Sequence, residues 1–246
     1  MYSYTYASNY DEKFRLRKIV PASLCSNTTM TYRSMYIDAA TRKTPDDVSF
    51  LRKAGVLVAD SVSGTVHPIT DGLLLLGYSK TIREVLPFYH VEYREEDKNG
   101  NTVFRFTSDE DDWSGNLLDF YLRIIEKAPI FNVKVVREFL LNAIIHADYR
   151  KSGGVVVVKT VDSLVIMNRG SFMMNLDEAL KGGSSNPENP RLINMFMKAD
   201  LANRAGYGLN FAFANYREEG FRKPILRINR SLKKVTVVLE NTKQGH

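Results

Sequence analysis

The stretch that most restricts the fold is Lys134 to Arg150, KVVREFLLNAIIHADYR. Val136, Phe139, Leu140, Ala143, Ile144 and Ala147 fall at i, i+3, i+4, i+7, i+8 and i+11, one continuous apolar face of a helix over 134–150. A second row at i+4 steps, Lys134, Glu138, Asn142 and His146, stacks polar groups along the same helix, while Leu141 and Ile145 make the flank beyond it apolar too. A polar row between apolar flanks is not a solvated face. It reads as the floor of a cleft, with a carboxylate and a carboxamide about 6 Å apart on one side of the helix. Two readings of the row stand side by side. In one, Glu138 and Asn142 satisfy neighbouring backbone in a buried helix. In the other, Asn142 offers its carbonyl oxygen to a hard cation such as Mg²⁺, and Glu138 orients or deprotonates a water.

Downstream of the helix the pattern extends. Ser152-Gly153-Gly154 breaks it, VVVVKT reads as a buried strand, and LVIMN is its antiparallel partner, ending in Asn168-Arg169-Gly170. A short helix, NLDEALK, leads to a loop over residues 182–190 rich in Gly, Ser, Asn and Pro, which reads as a mobile flap. RLINMFMKADL is amphipathic, with its methionines as core filler. Gly206-Tyr207-Gly208 stands at the start of the helix LNFAFANYREE, where bare backbone N–H groups and the helix dipole suit an anion. ILRIN and KVTVVLEN read as a closing antiparallel pair.

Upstream, the chain is less informative. Residues 1 to 43 show little periodicity and suggest irregular structure or short strands, for example Met30 to Asp38. Thr44-Pro45-Asp46-Asp47 reads as an N-cap with Pro at the first helical position and acids in the first turn, starting a helix that Gly55 ends. GVLVAD and TVHPIT are strands around a polar turn, compatible with either a winged-helix piece or plain α+β packing. DGLLLLG is a buried core element, FYHVEYREED and TVFRFTSDE form a β-hairpin around Lys98-Asn99-Gly100, and Asn116 opens a helix that Pro129 closes. The domain boundary is expected there. Residues 1–128 form a smaller α+β connecting region and 129–246 a separate α/β domain, giving an α+β protein overall.

Composition narrows the classes. No apolar run approaches the roughly 18 residues of a membrane span, and the polar start MYSYTYASNYDEK lacks the apolar core of a signal peptide, so no membrane contact and a cytoplasmic location are expected. Cys25 stands alone and the four histidines are scattered, so neither a disulfide framework nor a zinc site is expected. From residue 129 onward there are 18 Lys+Arg against 10 Asp+Glu, and the remainder holds 16 against 18. The half with the organising helix is the basic one. That suits an anionic partner, nucleotide phosphate or DNA, without favouring either, because no Lys/Arg run or aromatic-basic alternation is present.

The order of E-x-x-x-N-A helix, hairpin, N-x-G strand end, flexible loop and G-x-G-L helix start resembles the Bergerat ATP-binding fold of gyrase-type topoisomerases and sensor histidine kinases. More narrowly, REFLLNAIIHADYR, IMNRG, NPENPRL and AGYGLNFAF look like the divergent branch found at the C-terminal end of bacterial transcriptional regulators, often labelled ATP-dependent DNA helicase-related. The close resemblance covers about residues 130 to 240. It implies an α/β sandwich of the histidine-kinase-like ATPase type, binding ATP and Mg²⁺ between the 134–150 helix and the sheet, with slow hydrolysis or none. It implies that Glu138 activates water, Asn142 holds Mg²⁺ against the phosphates, and Gly206 and Gly208 approach those phosphates. Asn168 and Gly170 then form the adenine corner, and His146 lines the nucleotide site.

Two departures qualify this. Asn168 replaces the wider superfamily's aspartate and loses the charge that strengthens a bond to the adenine amino group; Phe172 replaces a glycine. Such proteins carry an Alba-like or Schlafen-like DNA-binding domain ahead of this region, and residues 1 to 43 read as the segment C-terminal to it. The chain is therefore expected to be a fragment, or a natural form lacking that domain, with DNA contact mainly outside it; a homodimer is compatible with the pattern. The competing reading is a non-catalytic DNA- or protein-interaction domain with a vestigial cleft.

Overall fold

A computed structural model describes residues 12–128, 131–170, 187–202, 214 and 221–241. Its centre is a six-stranded mixed sheet with helices, preceded by a smaller α+β region, so the α+β class expected from sequence is the observed one. Residues 12–16 are helical and a 3₁₀ turn spans Pro21–Ser23. Helices α1 (Ser26–Met35), α2 (Ala39–Arg42) and α3 (Asp47–Ala54) come next, then the short antiparallel pair β1 (Leu57–Ala59) and β2 (Val66–Pro68).

Two expectations are corrected in this part. The segment expected as a strand from Met30 to Asp38 is helical as far as Met35, and Tyr36, extended at the helix end, closes with Tyr32 on Phe50 in an aromatic cluster, with centroids 5.3 to 6.0 Å apart. Asp46, not Thr44, caps α3, accepting from the Ser49 N–H at 2.8 Å. Gly55 ends that helix in the left-handed region at φ +82°, where a side chain would be strained.

The buried run DGLLLLG forms helix α4 (Thr70–Leu76), with α5 (Ser79–Val85) directly after it. The hairpin is as read: β3 (Val91–Glu96) and β4 (Thr102–Thr107) turn at Gly100, with Asp97 accepting from the Asn99 and Asn101 N–H groups. Asn116 caps α6 (Leu117–Lys127) through the Asp119 N–H at 3.0 Å.

Next come α7 (Val133–His146), β5 (Val155–Lys159), β6 (Ser163–Arg169), α8 (Pro190–Lys198), β7 (Ile225–Asn229) and β8 (Lys234–Glu240). The strand order is β4-β3-β5-β6-β8-β7, with β3 and β5 parallel and every other neighbour antiparallel. The hairpin that precedes residue 129 therefore lies in the same sheet as the strands beyond it. One apolar cluster runs from Leu16 to Leu239 through both regions. At about 1.5 to 3 kcal/mol per fully buried aliphatic side chain, the eight buried residues of α7 make this helix the main contact holding the layers together. Among the described residues, no helix is long and apolar enough to cross a membrane.

Candidate functional site

α7 is shorter than its sequence pattern suggests. It stops at His146, and Ala147 is extended at ψ 137°, so Ala147 to Arg150 form a turn rather than another helical turn. The stop is imposed from outside the helix. Tyr149 Oη donates to the Ile144 carbonyl at 3.0 Å, and Asn189 Nδ2 donates to the carbonyls of Ile145 and Ala147 at 3.2 and 2.8 Å. The Asp148 N–H reaches the Arg169 carbonyl at 2.7 Å, which joins the helix end to the end of β6. Carbonyls that a longer helix would bond internally are satisfied by these groups instead.

Gly170 belongs to the same junction. A Cβ there would collide with the carbonyl oxygen of His146, so the glycine permits close approach of backbone to backbone. The junction thereby fixes Asn168 beside the last turn of α7.

Between α7 and strands β6, β7 and β8 lies a slot whose polar lining is Asn142, His146 and Asn168, with Phe139, Ile166 and Val237 among its apolar walls. Four buried side-chain polar atoms lack a hydrogen-bond partner among the described residues, and two of them, His146 Nδ1 and Asn168 Nδ2, belong to this lining. Unpaired buried polar atoms are uncommon and mark places where a partner group fits. Burial holds the His146 imidazolium down, with a pKa of about 4, so the ring is neutral near pH 7.

Farther along α7, Asn142 Nδ2 donates to Glu138 Oε1 and to the Glu138 carbonyl, both at 2.8 Å. Burial raises the Glu138 carboxyl above its usual range, and the Asn142 bond offsets part of that rise. A half-buried carboxylate with a raised pKa is a better proton acceptor than an exposed one.

The structure thus brings Asn142, His146, Asn168 and Gly170 together at one helix–sheet junction, while Glu138 is linked to it only through its bond from Asn142 and does not line the slot. Lys134, the first member of the polar row, is exposed and takes no part. Gly206, Gly208, Phe172, the NLDEALK segment, the LNFAFANYREE segment apart from Ala214, and the loop through residue 186 lie outside the described residues. Asn189 was not singled out from sequence, although Asn before Pro at a helix start was a legible signal. Asp71 was also missed. It accepts from the Leu192 N–H at 3.0 Å, so α4 supplies the cap that α8 lacks locally.

The slot encloses about 30 Å³, room for about one water, whereas small-molecule sites are typically about 300 to 1,000 Å³. A purine base needs α7 and the β7–β8 edge to separate. A cleft of about 660 Å³ opens elsewhere, beside Cys25, Lys80, Asp112, Trp113 and Arg123, but none of the buried unpaired polar atoms lines it. The chemistry legible in sequence is at the slot.

Comparison with known proteins reaches the sheet side of this junction but not α7, since the family match begins at residue 154. Residues 154–239 match the family described as "Putative ATP-dependent DNA helicase recG C-terminal", an ATPase-like domain family. Residues 1–92 match a domain of unknown function, DUF8451. No curated protein matches the chain. Among solved structures, the crystal structure of the DIP2311 protein from Corynebacterium diphtheriae is similar, with a TM-score of 0.71 and 18% identity. The similarity covers 90% of this chain and 38% of that one, so this chain spans well under half of its length. At that identity the likeness is one of fold.

Proposed function

We propose that this chain is a nucleotide-binding regulatory module of the Bergerat type, in which ATP enters between α7 and the sheet. The observation that carries the reading is a pair of buried nitrogens without a hydrogen-bond partner among the described residues, His146 Nδ1 and Asn168 Nδ2, in a slot whose remaining lining is apolar but for Asn142. A purine base is flat and largely apolar, with donors and acceptors along its edge, and complements such a lining. An Asn side chain carries both a donor and an acceptor, so Asn168 pairs with that edge without the charge of an aspartate. The ATPase-like match over 154–239 supports the same reading.

The donor set also fits a Mg²⁺ held mainly by phosphates. Mg²⁺ commonly takes one or two protein oxygens and keeps waters, and Asn142 Oδ1 with the Glu138 carboxylate beside it supplies that much. When bound, the ion would neutralise phosphate charge. Asn142 orients Glu138, and Glu138, its carboxyl raised by burial, accepts a proton from water. Gly206 and Gly208 complete the phosphate side in this reading, and turnover is slow or absent.

A second reading has its own support. The narrowness of the slot, and an Asn142 amide already bonded to Glu138, suit a non-catalytic domain that keeps the fold for DNA or protein association. Calorimetric titration with ATP and with a non-hydrolysable analogue, each with and without Mg²⁺, separates the two. Saturable binding strengthened by Mg²⁺ supports the module; no heat at millimolar nucleotide supports the vestigial cleft. The slot must widen first, so the apparent affinity is expected to be modest, reduced by the fraction of open molecules.

A further inference from the structure

The sheet has a second face, and its composition is unusual for one left to solvent. Burial alternates along β6 and β8, so residues flanking the core positions Ile166 and Val237 point away from α7, and register carries this face onto β5, where Val158 is itself buried. Register places them in two rows. One reads Arg94, Val158, Val165, Val238, Ile225 across β3, β5, β6, β8 and β7; the other reads Glu92, Val156, Met167, Thr236, Arg227. A one-sided sheet ordinarily carries polar residues on its outer face. Here Val158, Val165 and Val238 make the middle of one row apolar, Val156 and Met167 stand beside Thr236 in the other, and among the described residues no helix packs on this face.

The ends of the rows are charged with opposite sign. On β3, Arg94 is bonded to Glu92 at 2.8 Å and Glu96 at 2.7 Å, which leaves an acidic excess. On β7, Arg227 is exposed and has no ion-pair partner among the described residues. β6 is the second strand from β3 and also the second from β7.

We infer that this face binds a second copy of the chain, sheet against sheet, about a two-fold axis running along β6. Rotation about that axis exchanges β3 with β7 and β5 with β8 while keeping each row opposite itself. Glu92 of one copy then faces Arg227 of the other, twice per dimer, and the apolar middles meet over Val165 and Met167. Aligned packing of two twisted sheets has this geometry. The interface is isologous and closes at two copies.

Five strands about 4.8 Å apart and five residues at about 3.4 Å give roughly 400 Å² of face per copy. That is at the small end for specific interfaces, so the dimer is weak and concentration-dependent. The inference stands apart from the nucleotide reading, because the slot is on the opposite face.

Sedimentation velocity of the full chain from about 2 to about 200 µM tests it. The expected result is a monomer that becomes a dimer within this range. Arg227→Glu, on an exposed edge position, should weaken the dimer at least about tenfold by setting like charges opposite each other. The exchange Glu92→Arg with Arg227→Glu should restore it to within about threefold of the natural chain. If Glu92→Arg disturbs β3 through Arg94, the Arg227→Glu result alone decides. A dimer unmoved by Arg227→Glu overturns the inference, because association then uses another face. So does a monomer at every concentration, which would assign the apolar rows to a segment of this chain or to another protein.

Discussion

The side chain of Asn142 donates to the carboxylate and to the backbone carbonyl of Glu138 one helical turn earlier, both at 2.8 Å. The two residues act as one unit. The amide partly offsets the burial that raises the Glu138 carboxyl, and its bond to Oε1 fixes the carboxylate beside Asn142. A role as Mg²⁺ ligand through Oδ1 and a role as positioning group through Nδ2 are therefore compatible in one residue.

Asn142→Ala should separate those roles. Loss of the bond to Glu138 is expected to lower the stability of the nucleotide-free protein by about 1 kcal/mol in denaturant titration. It should also abolish the Mg²⁺-dependent increment of ATP affinity measured by calorimetry. A variant that loses stability but keeps the increment would confine Asn142 to holding Glu138. Asn142→Asp should be worse than alanine for stability, since two half-buried carboxylates one turn apart repel.

The junction of α7 with β6 gives a prediction that does not depend on nucleotide. Gly170→Ala places a methyl group against the His146 carbonyl, where the atoms it meets are backbone of His146 and Ala147 and no flexible side chain can yield. A loss of about 3 kcal/mol is expected from overpacking, read as a shift in the denaturation midpoint without a change in slope. Asn189→Ala removes the side-chain donor shared by Ile145 and Ala147 and should cost about 2 kcal/mol. A Gly170→Ala protein as stable as the natural one would mean that the strand end and the helix end are not packed as described.

Much of this was legible locally. The amphipathic spacing of 134–150 marked α7, the β-branched run and its partner marked β5 and β6, and the Gly100 turn marked the hairpin. Local pattern does not encode pairing at a distance. The parallel contact of β3 with β5 joins residues about sixty positions apart, so a hairpin placed before the expected boundary at 128 shares one sheet with strands β5 to β8 beyond it. The end of α7 is likewise set by Asn189 and Arg169, not by a helix-stopping residue at 147. The same holds at the other end of the chain, where Phe50 completes the aromatic cluster with Tyr32 inside α1 and Tyr36 at its end. At the slot, sequence indicated which residue types converge, but the roughly 30 Å³ left between them depends on packing depth across three strands.

The last prediction concerns acid. His146 has a folded pKa of about 4 against an ordinary value near 6.5, because burial disfavours its charged form. Its folded pKa is depressed, so its contribution is fully present above pH 6.5 and is lost as pH falls toward 4: the unfolded chain takes up the proton first. The full shift corresponds to at most about 3 kcal/mol. Glu138 and Asp71 work in the opposite direction. Their carboxyls are raised by burial, so the folded protein binds protons before the unfolded chain does and gains relative stability as pH falls through the carboxylate range. The natural protein therefore reports a sum, and the informative measurement is a difference. Denaturation midpoints of the natural chain and of His146→Phe, taken at half-unit steps from about pH 7.5 to 4, should diverge steadily below 6.5, with the variant losing less. Parallel curves would mean that His146 is hydrated or partnered in solution. Saturating ATP, if its base lies against this imidazole, should change the divergence between the two proteins, which ties the titration to the slot rather than to the fold at large.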